Sequence, residues 1–526
     1  MKNIFTFLLI TAGLLLCVVS NAQVNTVVSY QKISSLFGNL TCPLNNSDMF
    51  GFSVDNIGDL DNDGVVDMVA GACRDDDGGT DRGAVYILFM NADRTVKSCQ
   101  KISSTQGGFT GILSNGGLFG TAVSPLGDLD GDGVLDIAVG SEYDSDGGSW
   151  NGAVWIFFLN TNGTVKAYQK ISATQGNFSG TQTKSLGDTL YSPDYHEHAD
   201  TLAPDTTGGA KSFPSGGGGQ LLTGTCTFGS DIALLGDLDG DGVQDIAVGA
   251  RRDNDWDVRT GAVWILYLNH NGTVKAYSKI SAGHGGFPTI LHYEDFFGAA
   301  VTCLGDMDDD GVPELAVGSY QDDDGGFNKG SVYILFMNAD GTVKFYQKIS
   351  NTQGNFTAPL YSSEYFGVSV KSLGDTDSDG MPDIIAGATG DDDGGADRGA
   401  AWILCLNING TVKSYQKISN TQGGFTGTLD NSDQMGLGVA SLGDINNDGN
   451  LEIAISAFAD DDGGTDRGAV WVMSYGTQIP GSTCSSAIPI TPDSIYTSHT
   501  YQLNDSVMWF KFIPDFNIDY LPKTGV

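Results

Sequence analysis

The chain is poor in catalytic signatures. It has no GxSxG nucleophile elbow and no HExxH zinc helix, and its six histidines follow no period. Basic residues are scarce too: 26 Lys and Arg stand against 64 Asp and Glu, a formal net charge of −38. A surface of that sign repels phosphate backbones, which excludes nucleic acid as a partner. No CxxC knuckle occurs. The cysteines beyond the N-terminal apolar segment are Cys42, Cys73, Cys99, Cys226, Cys303, Cys405 and Cys484; they are odd in number and do not recur. A disulfide framework is therefore not expected, with Cys73–Cys99 a possible bridge within one repeat, and Cys405 reads as a buried apolar residue.

Long apolar runs are absent after the N-terminus, so no transmembrane segment is expected. Residues 1–22 read as a signal peptide: Lys2, then the apolar stretch Ile4–Val19, then Ser20-Asn21-Ala22 as a small-residue cleavage site. This places the mature protein outside the cell or on its surface.

What the chain has in abundance is one acidic nonapeptide, DxDxDGxxD, present six times. Side-chain oxygens at its positions one, three, five and nine come from Asp59, Asp61, Asp63 and Asp67; Asp128, Asp130, Asp132 and Asp136; Asp237, Asp239, Asp241 and Asp245; Asp306, Asp308, Asp310 and Glu314; Asp375, Asp377, Asp379 and Asp383; and Asp444, Asn446, Asp448 and Glu452. Carboxylates on alternate residues repel unless a cation neutralises them, and Gly at position six lets the backbone turn so that oxygens converge. An EF-hand would need Glu at position twelve, where Ala70, Val139 and Val248 stand. The spacing predicts about one Ca²⁺ per repeat.

Each nonapeptide sits at a fixed place in a unit opened by Phe50, Phe119, Phe228, Phe297, Phe366 or Met435, at intervals of 69, 109, 69, 69 and 69 residues. Four strand-like runs fill a unit, as in FGTAVSPLG, DIAVGS, GAVWIFFL and TVKAYQKIS. The fourth alternates, with Val165, Ala167 and Ile171 on one side and Lys166, Tyr168 and Lys170 on a solvated side. The last unit stops at GAVWVMSYG, while the mature chain begins with VVSYQKIS (Val27–Ser34). The N-terminal strand therefore completes the last blade and closes an all-β, six-bladed propeller over residues 23–477. The 40 extra residues of one interval give an insertion at about 181–223; it repeats KSLGDT (Lys184–Thr189) without the following carboxylates, so an elaborated loop is preferred to a seventh blade. His196-Glu197-His198 within it reads as surface loop. Residues 478–526 change character and are too few to complete a core, which suggests an incomplete C-terminal β module.

A second acidic motif, DDDGG, follows the second strand at Asp75, Asp322, Asp391 and Asp460, with variants at Asp144 and Asp253. A solvated turn with a local Asp–Arg pair (Asp81-Arg82, Asp397-Arg398, Asp466-Arg467) is its simpler reading, a second ligand site the sharper one.

FG, then LGDLDGDGxxDIAVGA, then RGAVWIL resembles the FG-GAP repeat of integrin α-subunit propellers and their secreted bacterial relatives. The resemblance runs from Val27 to about Gly476. It implies Ca²⁺ ligation by the side chains at positions one, three, five and nine, with the position-seven carbonyl, Val65 in the first loop. Integrin propellers have seven blades and load only some of them; here six are counted and all carry the loop. The resemblance also implies ligand engagement on the face away from the nonapeptides. There the linkers offer Phe109, Trp150, Trp256, Phe287, Phe327 and Phe425, as contact residues or as pins holding linkers to blades. The function expected is a non-catalytic adhesion or binding module for an extracellular protein or glycan. An extracellular carbohydrate-active enzyme and a structural spacer for a missing C-terminal domain are the alternatives. Arg, Tyr and carboxylate side chains converging on the ring axis would favour catalysis, and a flat or loop-rimmed surface would favour adhesion.

Overall fold

The computed structural model describes residues 25–178, 226–255, 257–288 and 290–477. Among these, 24 strands form six four-stranded antiparallel sheets, arranged as a six-bladed β-propeller. In the second blade the strands are Phe119–Gly127, Asp136–Ser141, Ala153–Leu159 and Val165–Ser172. Their second and third members are buried along their whole length, because both faces are covered by neighbouring blades. First strands touch around the ring, and the last of them contacts the first. The core is correspondingly divided into six apolar clusters, each shared by two adjacent blades.

The glycines of FG and GA set how closely blades approach. A Cβ on Gly71 would lie 1.9 Å from the Gly120 carbonyl oxygen of the next blade, and one on Gly83 would lie 1.9 Å from the Phe119 oxygen. Gly83 bridges to Phe119 in parallel register, and the same bridge recurs from Gly152 to Phe228. The second and third blades therefore meet directly, and no seventh blade separates them. The insertion, like the signal segment, His196-Glu197-His198, Trp256 and residues 478–526, lies outside the described residues.

Closure occurs as the two termini require. Thr26–Ile33 pairs antiparallel with Ala469–Gly476, with Tyr30 opposite Met473 and Ile33 opposite Val470. Beside the seam lies a disulfide, which corrects the cysteine expectation. Cys42 is bonded to Cys99, not Cys73 to Cys99, with Cα atoms 5.9 Å apart. Cys73 is buried, and Cys405 is half-buried rather than fully buried. Aligned with the second blade, Cys99 takes the place of Tyr168 on the fourth strand and Cys42 that of Gly111 in the linker. Elsewhere this contact is aromatic: Phe109 packs edge-on against Tyr168 at 5.1 Å. The first blade, whose linker descends from the closing strand, replaces that contact with a disulfide.

Closing a loop with a sequence separation of 57 residues stabilises by about 2–4 kcal/mol through the unfolded chain. Substituting both Cys42 and Cys99 by Ser should lower stability by that order in urea unfolding. Removing residues 23–34 should expose the edge of Ala469–Gly476 and produce aggregation. A deletion variant that stays monomeric and as stable as the parent would contradict closure by this strand.

Candidate metal centre

The nonapeptide forms the connection between first and second strands of every blade. Its first carboxylate organises the turn. Asp59 accepts the Asp63 amide on Oδ1 at 2.9 Å and the Gly64 amide on Oδ2 at 2.8 Å. Asp128, Asp237, Asp306, Asp375 and Asp444 repeat the pattern. Position five turns back on itself, as where Asp63 Oδ1 accepts the Val65 amide. Position nine opens the second strand and is buried; Asp67 accepts the amides of Leu60 at 3.0 Å and Met90 at 2.9 Å.

The sequence expectation placed positions one, three, five and nine at one centre. The structure brings one, three and nine within 4.8 Å of one another in four loops: Asp59, Asp61, Asp67; Asp128, Asp130, Asp136; Asp306, Asp308, Glu314; and Asp375, Asp377, Asp383. In the third loop the convergent set is Asp237, Asp239 and Asp241. Asp63, Asp132, Asp310 and Asp379 are not in these sets, nor is Asp245, which keeps the position-nine pattern by accepting the Leu238 and Leu268 amides. The sixth loop is different. Asn446 Nδ2 donates to Asp448 at 3.1 Å and to Glu452 at 3.3 Å, so an amide links carboxylates there.

The electrostatics separate the positions. Burial pushes Asp67, Asp136 and Asp245 up to about 6 and Glu314 up to about 7, with the position-three carboxylate adding to the push. Position five moves the other way: a lysine ammonium holds Asp63, Asp132, Asp241, Asp310 and Asp379 below the usual carboxylate range. Sequence alternation puts Lys166 on a solvated strand face, and its counterparts in four other blades are Lys97, Lys275, Lys344 and Lys413. The alternation argument missed a β-bulge that turns them toward the loop.

The second acidic motif is not a solvated turn. Its first aspartate is buried in all six blades and pairs with the second lysine of the fourth strand: Lys101 to Asp75 at 2.6 Å, Lys170 to Asp144 at 2.9 Å, Lys279 to Asp253 and Lys348 to Asp322 at 2.8 Å, Lys417 to Asp391, and Lys32 to Asp460 at 2.5 Å. Each ammonium also lies over an aromatic ring of the third strand, Lys170 at 5.1 Å from Trp155. The expected local Asp–Arg pair is replaced by a latch to the linker: Arg82 donates to Asn115, Arg398 to Asn431 and Arg467 to Asn46. Four blades add a further buried acid (Asp48, Asp295, Glu364, Asp433) that accepts a turn amide or stands beside the motif.

Near one end the ring axis holds a cavity of about 90 Å³. Arg, Tyr and carboxylate groups do converge there. Arg251 Nε and Nη2 bind both oxygens of Glu142 at 2.9 and 2.8 Å, and Nη1 donates to the Tyr320 hydroxyl at 2.9 Å. Below them Lys371 pairs with Asp55 at 2.8 Å. Glu142, Arg251 and Tyr320 satisfy one another and join the second, third and fourth blades, while Lys371 and Asp55 join the fifth and first beside a wider opening of about 420 Å³ on the same axis.

On the face away from the nonapeptides, burial decides between the two readings of the linker aromatics. Phe109, Phe287 and Phe425 are buried and pin linkers to blades, packing on Trp155, Tyr333 and Trp471. Trp150 is half-buried and stacks on Tyr143. Phe327 is exposed as proposed, joined by Ile112, Tyr293 and Tyr361, which apolar patterning did not single out.

The geometry can now be set beside known proteins. The model of the FG-GAP repeat matches residues 119–157 and 228–266, the first three strands of the second and third blades. The chain carries FG-GAP repeats on a six-bladed propeller. Integrin alpha-6 of Homo sapiens is 32% identical over 166 residues, 31% of this chain and 13% of that protein. Integrin alpha-2 of Mus musculus is 37% identical over 99 residues, 18% of this chain and 8% of that protein. The FG-GAP propeller thus spans only a small part of the length of these curated relatives. A crystal structure of BBS1N in complex with ARL6DN, soaked with mercury, aligns at a TM-score of 0.35 and 11% identity, covering 86% of this chain and 97% of that one.

The extra buried acids carry a pH signature. Burial, with Asp322 and Asp460 alongside, pushes Asp295 and Asp433 up to about 7. Their unfolded values lie near 4, so the folded state holds extra protons between about pH 4 and pH 7. The stability they contribute is present below pH 4 and is lost as pH rises through 7. Asp295→Asn and Asp433→Asn keep an acceptor for the turn amide. Each should stabilise the protein at pH 8 by on the order of 1 kcal/mol, with the gain fading toward pH 4 in urea titrations. A difference independent of pH would contradict this assignment.

Proposed function

We propose that this propeller is secreted or displayed at the cell surface, is stabilised by about one Ca²⁺ per blade, and acts as a non-catalytic binding or adhesion module for an extracellular protein or glycan. The supporting observation is the convergence of hard oxygen donors in loop after loop with acceptor capacity left over. Among the described residues, Asp61 Oδ1 has no hydrogen-bond partner, and the fully buried Glu314 takes its close hydrogen bond on Oε2, from the Met307 amide; unpartnered carboxylate oxygens also occur at Asp253 of the other acidic motif and at Glu364 beside it. A buried carboxylate oxygen without a donor is unfavourable unless a cation completes it. The donor set, all oxygen, suits calcium and not a soft metal. The residues that would hold the ion are those at positions one, three and nine, with position five and the position-seven carbonyl drawn in as the family resemblance implies.

A binding role rests on the likeness to integrin α-subunits and on the exposed side chains of one face; at the axis, Arg251 Nε, Nη1 and Nη2 are engaged by Glu142 and Tyr320. The candidate recognition surface is the face opposite the nonapeptides. Exposed Ile112, Tyr293, Phe327 and Tyr361 stand there on short connections held by buried Phe pins and Arg latches. Large side chains on loops fixed to a rigid scaffold suit recognition. The small share of each integrin that the chain matches leaves the identity of the partner to experiment.

Two measurements test the reading. Thermal unfolding in millimolar CaCl₂ should occur well above unfolding in EGTA, each site adding about 1–2 kcal/mol at extracellular affinities of about 10⁻⁴–10⁻³ M. Superimposable curves would remove the structural role of calcium. A protein and glycan array probed with and without Ca²⁺ should identify a partner, and a folded variant carrying Ile112→Ala, Tyr293→Ala, Phe327→Ala and Tyr361→Ala should bind it at least tenfold more weakly. Undiminished binding would move the site to another surface.

A further inference from the structure

The fourth strand of each blade contains one β-bulge, and the residue it inserts is the same in five blades. Met90 pairs with Val96 and Phe89 with Ser98, leaving Lys97 as the extra residue. The same break leaves out Lys166, Lys275, Lys344 and Lys413. A bulge re-aims the side chain it carries. Here it directs each ammonium across the blade to the nonapeptide, onto the carboxylates of positions three and five: Lys97 to Asp61 at 2.5 Å and Asp63, Lys166 to Asp130 at 2.6 Å and Asp132, Lys275 to Asp239 at 2.7 Å and Asp241, Lys344 to Asp308 at 2.8 Å and Asp310, and Lys413 to Asp377 at 2.7 Å and Asp379 at 2.6 Å.

The sixth blade supplies an internal control. Its fourth strand is the N-terminal one, and its bulge carries Val28, between the pairs Val27–Tyr475 and Ser29–Ser474. In that blade position three is Asn446. One cation and one anion are lost together, so every loop keeps a net charge of −3 counted over its four ligand positions and its bulge residue. The Asn446 amide takes over the link between carboxylates. Arg94 of the first blade donates to Ser29 at 2.8 Å and lies 3.9 Å from Glu452, and among the described residues no cation forms a salt bridge with Asp448.

We infer that the bulged lysine is a built-in counter-ion of the nonapeptide: it neutralises positions three and five when no metal is bound and must be displaced or pushed aside for Ca²⁺ to bind, lowering the affinity of five sites while stabilising their empty form. This rests on the calcium reading above. The lysine side chains are about one-third exposed, so the ammonium is free to swing into solvent. A unit charge about 4 Å from a divalent ion opposes its binding even in water-like surroundings, which corresponds to a factor on the order of tenfold per site. The empty loop without its lysine holds four mutually repelling carboxylates and becomes the less stable form.

The test compares the full-length mature protein with a variant carrying Lys97→Met, Lys166→Met, Lys275→Met, Lys344→Met and Lys413→Met, by calorimetric titration with CaCl₂ and by melting in EGTA and in calcium. The variant should bind calcium on the order of tenfold more tightly, melt lower than the parent in EGTA, and show a larger calcium-induced rise. A purely structural lysine would instead lower both melting temperatures equally, and a lysine that orients the ligands would weaken binding; either result overturns the inference. Should the five-site variant not fold, the paired change Val28→Lys with Asn446→Asp converts the sixth loop to the form of the others. That variant should lose the one class of site that differs in the parent isotherm; retention of two classes overturns the inference. A parent protein that binds no calcium refutes the underlying reading, whereas a parent that binds normally and variants that do not tighten refute only the role of the lysine.

Discussion

Carboxylates held on alternate residues repel, and the architecture of every blade is arranged around containing that repulsion. Backbone amides take up the first carboxylate, burial at the start of the second strand fixes the last, and in five blades a bulged lysine meets the middle two. The same solution recurs on the opposite face, where the first aspartate of DDDGG is buried against a lysine stacked on a third-strand ring. In a chain with a net charge of −38, lysines stand at both of these points in five repeats and at the second point in the sixth. Of its 26 Lys and Arg, the fourth strands place one lysine at nearly every acidic turn.

The ring imposes a second constraint, because a closed array has one seam that the repeat cannot make by itself. Three devices converge on it. The N-terminal strand completes the last sheet, the Cys42–Cys99 disulfide replaces an aromatic contact that every other linker leaves non-covalent, and Arg94, at a position held by Gly163, Gly272, Gly341 and Gly410 in four other blades, reaches the closing strand and Glu452. The seam is also where the nonapeptide departs from its pattern. Closure and loop chemistry are thus linked through the one fourth strand that arrives from the other end of the chain.

Period and strand identity were legible in the sequence because both derive from local patterning: a fixed interval between Phe residues, apolar runs for buried strands, and termini that complement each other. The carboxylates of the nonapeptide were legible for the same reason. The lysines were not. An alternation argument assumes an unbroken pleat, and one inserted residue moves Lys166 from the solvent to the loop, while burial of Lys170 depends on a partner twenty-six residues upstream. The disulfide was hidden because the two cysteines belong to a linker and to a strand of different repeats; aligning Cys42 with Gly111 and Cys99 with Tyr168 exposes it. Phe109, Phe287 and Phe425 were offered as contact residues or as linker pins, and burial decides for the pins. Aromatic identity alone does not say whether a linker residue points inward.

The account stands on the claim that each nonapeptide is an ion site. Crystals grown in millimolar CaCl₂ and measured at long wavelength test it most directly through the anomalous difference map. Six peaks are expected, one at each loop, within 2.3–2.6 Å of side-chain oxygens of positions one, three and nine, with the five bulged lysines turned away. A map without peaks at the loops, with the ammonium groups still seated on positions three and five, would contradict it.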